Sequence, residues 1–262
     1  MEPAALAQAS SFLERADDLL LTAHVNSDGD AIGSCLALQG LLHRMGKAAT
    51  VILPEAPDSR YDFLAGWSQI RPAAAQPESR YRHVVVLDCP SRSRIGAAAG
   101  YVAPDALVLN LDHHADNTNF GDTNLVCPDA SSSSQIVYHL AMAMALPIDA
   151  DVAVQLYTGI VFDTGGFRYS LATATTLEVG ADLVRRGARL DLVAERVFGD
   201  RAAAEVRQLG QALRTLTLHC AGRVVTMHLT YAQLRPGDPE DVANQGLSIH
   251  GVQAAVLMRE HA

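Results

Sequence analysis

Lysine is nearly absent from this sequence: Lys47 is the only one, and the other basic side chains are arginines. Lys and Arg together number 20 against 29 Asp and Glu, for a formal net charge of −9. A chain short of positive charge does not coat long DNA or RNA, because backbone binding needs concentrated Lys and Arg. A small anionic substrate stays open to it, since bound divalent cations invert the potential of an acidic pocket. Closely spaced cysteines are also missing. The four lie at 35, 89, 127 and 220, with no pair spaced as in a zinc knuckle or redox dithiol, so reduced and mostly buried thiols in a cytoplasmic protein are expected. No apolar run reaches membrane-spanning length, and the N-terminus has no positive segment leading into a hydrophobic one. The expected partners therefore include neither a membrane nor a long duplex nucleic acid.

What is present is an ordinary globular composition, 49% hydrophobic and 19% charged over 262 residues, enough for one large domain or two smaller ones. Residues 3–16 read as an amphipathic helix. Leu19 to Ala23 form a strand-length apolar run ending at His24, and Ala31 to Met45 carry helical spacing through Ile32, Leu36, Leu38, Leu41 and Leu42. Ala48 to Leu53, Val84 to Leu87 and Ala106 to Leu111 read as further strands, with one short helix expected around Tyr61 to Ala65. The alternation predicts an α/β fold with a mostly parallel sheet and flanking helices. Helices dominate from Ser131 to Phe198, and β patterning returns from Thr215. The expected division is a metal-binding domain over 1–187, a helical connection over 188–214 and a small C-terminal α/β domain over 215–262.

Three of the apolar strands end beside acid or histidine: His24, Asp88, and Asp112 with His113. Ligands of open α/β sheets gather at those strand ends. In the loop His24-Val25-Asn26-Ser27-Asp28-Gly29-Asp30, the two aspartates flank a glycine and can share one side of an extended backbone. Two carboxylates and an imidazole suit a hard divalent ion better than a soft thiolate site does. Each piece also has a plain alternative. Asp28 or Asp30 could simply cap the following helix, Asp88 could be a structural cap, and Asp163, in the turn Phe162-Asp163-Thr164-Gly165-Gly166, is as open a case. Asp112-His113-His114 is the least ordinary group. Gly33-Ser34 could leave backbone amides near an anion.

Taken in order, His24-x-x-x-Asp28-Gly29-Asp30-Ala31-x-Gly33-Ser34, then Asp88, then Asp112-His113-His114, then Asp163-Thr164-Gly165 resemble the DHH phosphoesterase family. The segments Asn117-Thr118-x-Phe120-Gly121-Asp122 and Gly165-x-Phe167-Arg168-Tyr169 are similar to its oligoribonuclease and adenosine 3′,5′-bisphosphate phosphatase branch. The resemblance implies two divalent ions per chain, Mn²⁺ with Mg²⁺ or Co²⁺ as alternatives. One would be held by His24, Asp28 and Asp88, the other by Asp30, Asp88, His113 and Asp163, with Asp88 bridging. It implies a catalytic role at the phosphate for His114 and an orienting role for Asp112, with Ser34 and Arg168 as substrate-binding candidates. The implied activity is hydrolysis of short oligoribonucleotides and of adenosine 3′,5′-bisphosphate. A cyclic- or linear-dinucleotide phosphodiesterase, and a non-catalytic metal- and nucleotide-binding protein, are the alternatives; a homodimer is also expected as an option.

Two departures stand out. Position 27 is Ser where the family commonly has Pro, which loosens the loop without removing a ligand. The second domain of the family resembles a substrate-binding unit marked by a Gly-Gly-Gly-His segment, and none occurs here. Ser248 to Leu257 resembles the strand upstream of that mark. The expectation is a partial C-terminal domain with an intact metal centre and a weakened grip on the natural substrate.

Overall fold

Strand β1 (Leu19–Thr22) is buried along its whole length, as befits a strand covered on both faces. The computed structural model of the chain describes residues 2–260 apart from 76, 78, 201 and 235–238. With β2 (Ala49–Leu53), β3 (Arg71–Pro72), β4 (Tyr81–Leu87), β5 (Val102–Asp112) and β6 (Thr123–Val126), β1 builds a six-stranded sheet of order β3-β2-β1-β4-β5-β6. Every pairing in it is parallel. The chain winds outward from β1 on one side and from β4 on the other. The crevice beyond the C-terminal ends of β1 and β4 is therefore the switch point of the sheet, where open α/β sheets receive ligands.

Helices α1 (Pro3–Arg15), α2 (Gly29–Arg44), α3 (Ser133–Ala143), α4 (Ala150–Asp163), α5 (Ala174–Arg185) and α6 (Leu190–Phe198) complete a first compact unit, Met1–Gly199. Most of α2 is buried, with Ala31, Ile32, Cys35, Leu36, Leu38, Leu41 and Leu42 in the main core. Its approach to α4 is unusually close at two glycines. A Cβ on Gly33 would lie 2.5 Å from the Gln155 carbonyl oxygen, and one on Gly159 would meet Asp30 and Ser134. Only residues without a side chain let these helices sit near enough for Asp30 and Asp163 to reach the same space.

The second unit, Asp200–Ala262, contains α7 (Ala203–Arg214), β7 (Thr217–His219), β8 (Val224–Leu229), α8 (Pro239–Leu247) and β9 (Ala254–Arg259). Its sheet has the order β7-β8-β9, antiparallel then parallel. Val225, Met227 and Leu229 alternate inward along β8, and Ala212, Met227, Leu229 and Val242 form a small core.

The parallel sheet, the flanking helices and the smaller C-terminal sheet follow the sequence pattern. Three details differ. Instead of one helix at 61–65 there are two short 3-10 turns, Ser59–Tyr61 and Trp67–Gln69, separated at Gly66, whose φ of 85° no helix accommodates. Strand β6 escaped the pattern because only Leu125 of its four residues is buried. Helix α8 is likewise an addition to the expected elements. Among the described residues no helix is long and apolar enough to cross a membrane.

Candidate metal centre

The strand ends of the first unit supply five of the eight polar side chains that meet at the switch point. His24 lies two residues beyond β1, Asp88 directly follows β4, and Asp112 closes β5 with His113 and His114 after it. Helix ends supply the rest: Asp28 is the N-cap of α2, Asp30 is in its first turn, and Asp163 is the last residue of α4. Asp88 has φ of 52°, a left-handed conformation uncommon outside glycine, and its N–H is fixed to the Leu111 carbonyl at 2.9 Å. Such strain persists only where surroundings enforce it. Here it accompanies the turn of the chain at the strand end.

Asp88 occupies the middle of the arrangement. Its Oδ2 faces His24 Nε2 at 3.3 Å, and its Oδ1 faces His113 Nε2 at 3.5 Å. On the first side, Asp28 Oδ2 is 3.6 Å from His24 Nε2. On the other, Asp163 Oδ2 is 3.1 Å from His113 Nε2. Potential ligand atoms of His24, Asp28 and Asp88 all lie within 4.8 Å of one another, as do those of Asp30, His113 and Asp163, and those of Asp88, His113 and His114.

The orientations suit metal ligation. His24 Nδ1 lies 2.7 Å from the Val25 carbonyl oxygen, so this nitrogen carries a proton and Nε2 is the nitrogen turned to the acids, the one that a metal would take once its own proton has left. Asp28 divides its carboxylate: Oδ1 accepts from the Asp30 and Ala31 N–H groups at 3.0 and 3.2 Å, while Oδ2 faces His24. It thus caps the helix and still offers an oxygen to the site. Asp163 Oδ2 is buried without a hydrogen bond despite its nearness to His113. A buried carboxylate oxygen left in that state is the kind of atom a cation satisfies.

Electrostatics point the same way. Burial opposes charge on His24, but Asp28 and Asp88 outweigh it and push its pKa up to about 11. Burial likewise opposes charge on His113, and Asp163 and Asp88 push it up to about 12. Burial, then the neighbouring Asp88 charge, raises Asp30 to about 7. Asp163 is held well above the carboxylate range by burial and then by Asp30. Asp88 is displaced downward, its burial overcome by His113 and His24. Burial and neighbouring charge thus favour a proton on Asp30 and on Asp163, which divalent ions would replace. The donors are carboxylate and imidazole, with no thiolate among them. Cys89, next to Asp88, donates its thiol to the Ser91 carbonyl at 3.2 Å, and burial pushes its pKa up to about 11.

Sequence reasoning missed the serines. Ser131 to Ser134 are all fully buried. At the start of α3 the N–H groups of Ser133 and Ser134 donate to Asp30 Oδ2 and Oδ1 at 2.6 and 2.9 Å, and Ser133 Oγ donates to Asp88 Oδ1 at 3.3 Å. The positive end of α3 thereby steadies two of the acids. The serine run before an apolar helix signals an N-cap, but nothing local in the sequence shows which distant carboxylate it meets. Arg94 was missed as well; its Nη2 lies 3.4 Å from His24 Nδ1.

The two expected substrate contacts have partners within the protein. Ser34 is fully buried and its hydroxyl donates within the helix to the Ala31 carbonyl at 3.3 Å. Arg168 Nε donates to the Gly165 carbonyl at 2.6 Å, and its guanidinium lies 5.7 Å from the centre of the Phe198 ring. It braces the turn after Asp163. Asp112 is fully buried, with Oδ1 accepting from His114 Nδ1 at 2.8 Å.

Comparison with known proteins finds relatives of the chain in sequence and in fold. Residues 18–160 match the model of the DHH family, N-terminal domain. The chain is 29% identical over 247 residues to the bifunctional oligoribonuclease and PAP phosphatase NrnA of Thermus thermophilus, covering 92% of this chain and 72% of that protein. It is 28% identical over 169 residues to the probable bifunctional oligoribonuclease and PAP phosphatase NrnA of Streptococcus mutans, a match spanning 64% of this chain and about half, 53%, of that protein. An exopolyphosphatase-related protein from Bacteroides fragilis superimposes with a TM-score of 0.92 at 26% identity, over 99% of this chain and 81% of that one.

Proposed function

The chain belongs to the DHH family of phosphoesterases, and on that footing we propose that it hydrolyses short oligoribonucleotides and removes the 3′-phosphate of adenosine 3′,5′-bisphosphate. The observation that carries this reading is the position of Asp88, whose two oxygens face His24 on one side and His113 on the other. That is the disposition expected of a carboxylate shared by two ions. His24, Asp28 and Asp88 would hold one ion, and Asp30, Asp88, His113 and Asp163 the other. The all-oxygen-and-imidazole donor set favours Mn²⁺, with Mg²⁺ or Co²⁺ as substitutes. When bound, such ions lower the pKa of a water and neutralise phosphoryl oxygens.

The protein's own groups do the rest. His114 Nδ1 donates to Asp112, which also raises the pKa of the ring, so in the protonated ring Nε2–H, without a partner among the described residues, can donate to a phosphate or to the departing oxygen. Arg94 brings a positive charge beside His24 for the substrate's phosphate. The four cysteines are unpaired among the described residues, as in a reducing cytoplasm, where we place the protein.

The test is to offer purified chain with Mn²⁺ a panel of di- to pentaribonucleotides, adenosine 3′,5′-bisphosphate, cyclic dinucleotides, pyrophosphate and polyphosphate. Turnover of the short oligoribonucleotides and the bisphosphate above the others is expected. Preference for cyclic dinucleotides would reassign the substrate. Turnover of none, in folded protein holding two metals per chain, would leave a binding protein rather than an enzyme.

A further inference from the structure

The loop between β5 and β6 carries a motif that metal binding does not explain, Asn117-Thr118-x-Phe120-Gly121-Asp122. Most of it is fastening. Thr118 donates to the Pro90 carbonyl through both its N–H, at 2.9 Å, and its hydroxyl, at 3.1 Å. Asp122 Oδ2 accepts from the Val108 N–H at 2.9 Å, and Phe120 packs against a core of Leu20, Val84, Val86 and Val108 on one face of the parallel sheet. Asn117 is different, because its amide points into the catalytic end of the sheet. Its Nδ2 donates to Asp112 Oδ2 at 2.5 Å and to Asn110 Oδ1 at 2.8 Å. Asn110, itself fully buried, is fixed by donating to the Val86 and Cys89 carbonyls at 3.2 Å each.

The result is a continuous chain of hydrogen bonds from the backbone of β4, through Asn110 and Asn117, to Asp112 and on to His114 Nδ1. We infer that Asn117 is a positioning residue for His114: it locks the rotation of the buried Asp112 carboxylate and so fixes which way the His114 ring presents Nε2. Asp112 is fully buried, and a carboxylate with one unanchored oxygen there could rotate and release the ring. The donor must be an amide or its equivalent. A carboxylate at 117 would confront Asp112 with like charge, while an apolar side chain would leave Oδ2 without its Asn117 donor. The inference rests on His114 acting at the phosphate, as proposed above.

Asn117 also accepts the Asn119 N–H at 2.6 Å, which shapes the loop where Asn119 adopts φ of 51°. Two variants separate these tasks. Asn117→Asp keeps the acceptor that shapes the loop and loses the donor to Asp112; Asn117→Ala loses both. Each is measured for metal content, for kcat and KM on adenosine 3′,5′-bisphosphate, and for the His114 ring nitrogens by NMR. An orienting partner of this kind is worth roughly 10- to 100-fold. The expected result is a kcat lower by that factor in both variants, with KM and metal content within about twofold of wild type. In a His114→Ala background, Asn117→Asp should cost nothing further. A full additional loss there, or wild-type kcat in Asn117→Asp, would overturn the inference. If the wild-type chain turned over none of the panel, the functional reading would fail and the NMR arm would decide this one alone. A protected His114 Nδ1–H resonance is expected in wild type and should be lost in both variants; its persistence in them would overturn the positioning role.

Discussion

A methyl group on Gly159 would stand 2.3 Å from Asp30 Oδ1 and 2.1 Å from Ser134 Oγ. Helix α4 therefore presses its backbone against the acid and the serine that anchors it. Gly159→Ala should push Asp30 out of the bonds it accepts from Ser133 and Ser134. Overpacking of this sort costs about 1–3 kcal/mol. The variant is expected to melt several degrees lower and to bind fewer than two Mn²⁺ per chain. Unchanged melting and metal content would show that the helices give way without cost.

Among the described residues Asp88 is the one carboxylate that faces both His24 and His113. Asp88→Asn removes the charge but keeps the shape, so loss of metal cannot be blamed on a cavity. Both ions should be lost together, with turnover falling below detection. Elemental analysis of the purified variant decides it. Retention of one ion at full occupancy would confine Asp88 to a single ion and remove its bridging role.

Metal binding should release protons. Without metal, His24 and His113 have pKa values raised to about 11 and about 12, so both rings are protonated at neutral pH. An ion takes the neutral ring, and each proton must leave first. Falling pH strengthens the competitor, so affinity for Mn²⁺ should fall with it and rise toward alkaline pH. Calorimetric titration in two buffers of different ionisation enthalpy measures the protons released. A value near zero at pH 7 would contradict the charge state of the metal-free site.

How much of this was legible in sequence depends on how local the signal is. Leu19 to Thr22 and Val84 to Leu87 advertise buried strands by composition alone, and the acid or histidine at each end marks the functional edge of the sheet. The dual use of Asp28, as cap and as site oxygen, could not be read, because both uses call for the same residue. The left-handed backbone of Asp88 left no trace, since glycine is the usual sign of that conformation. Ser133 and Arg94 were hidden for another reason: each reaches the site from an element far along the chain, and common residues carry no label for a distant partner.

Arg94 yields the remaining prediction. Its guanidinium approaches His24 Nδ1, yet that nitrogen is already engaged with the Val25 carbonyl, so Arg94 gains little there. Among the described residues it forms no ion pair with an acid. Its backbone carbonyl holds the Val25 N–H at 2.8 Å, which keeps the residue beside the site whatever its side chain does. A cation kept at a metal centre without an acid partner is free to take a phosphate. A hydrogen bond to a charged group contributes about 1.5–3 kcal/mol, so Arg94→Ala should raise KM for adenosine 3′,5′-bisphosphate roughly 10- to 100-fold. Metal content should stay at the wild-type level, because the ligand side chains and the loop backbone are intact. Arg94→Lys should recover part of the loss, since a point charge replaces the planar fork. If KM were unchanged in Arg94→Ala while metal content dropped, the guanidinium would serve His24 rather than the substrate.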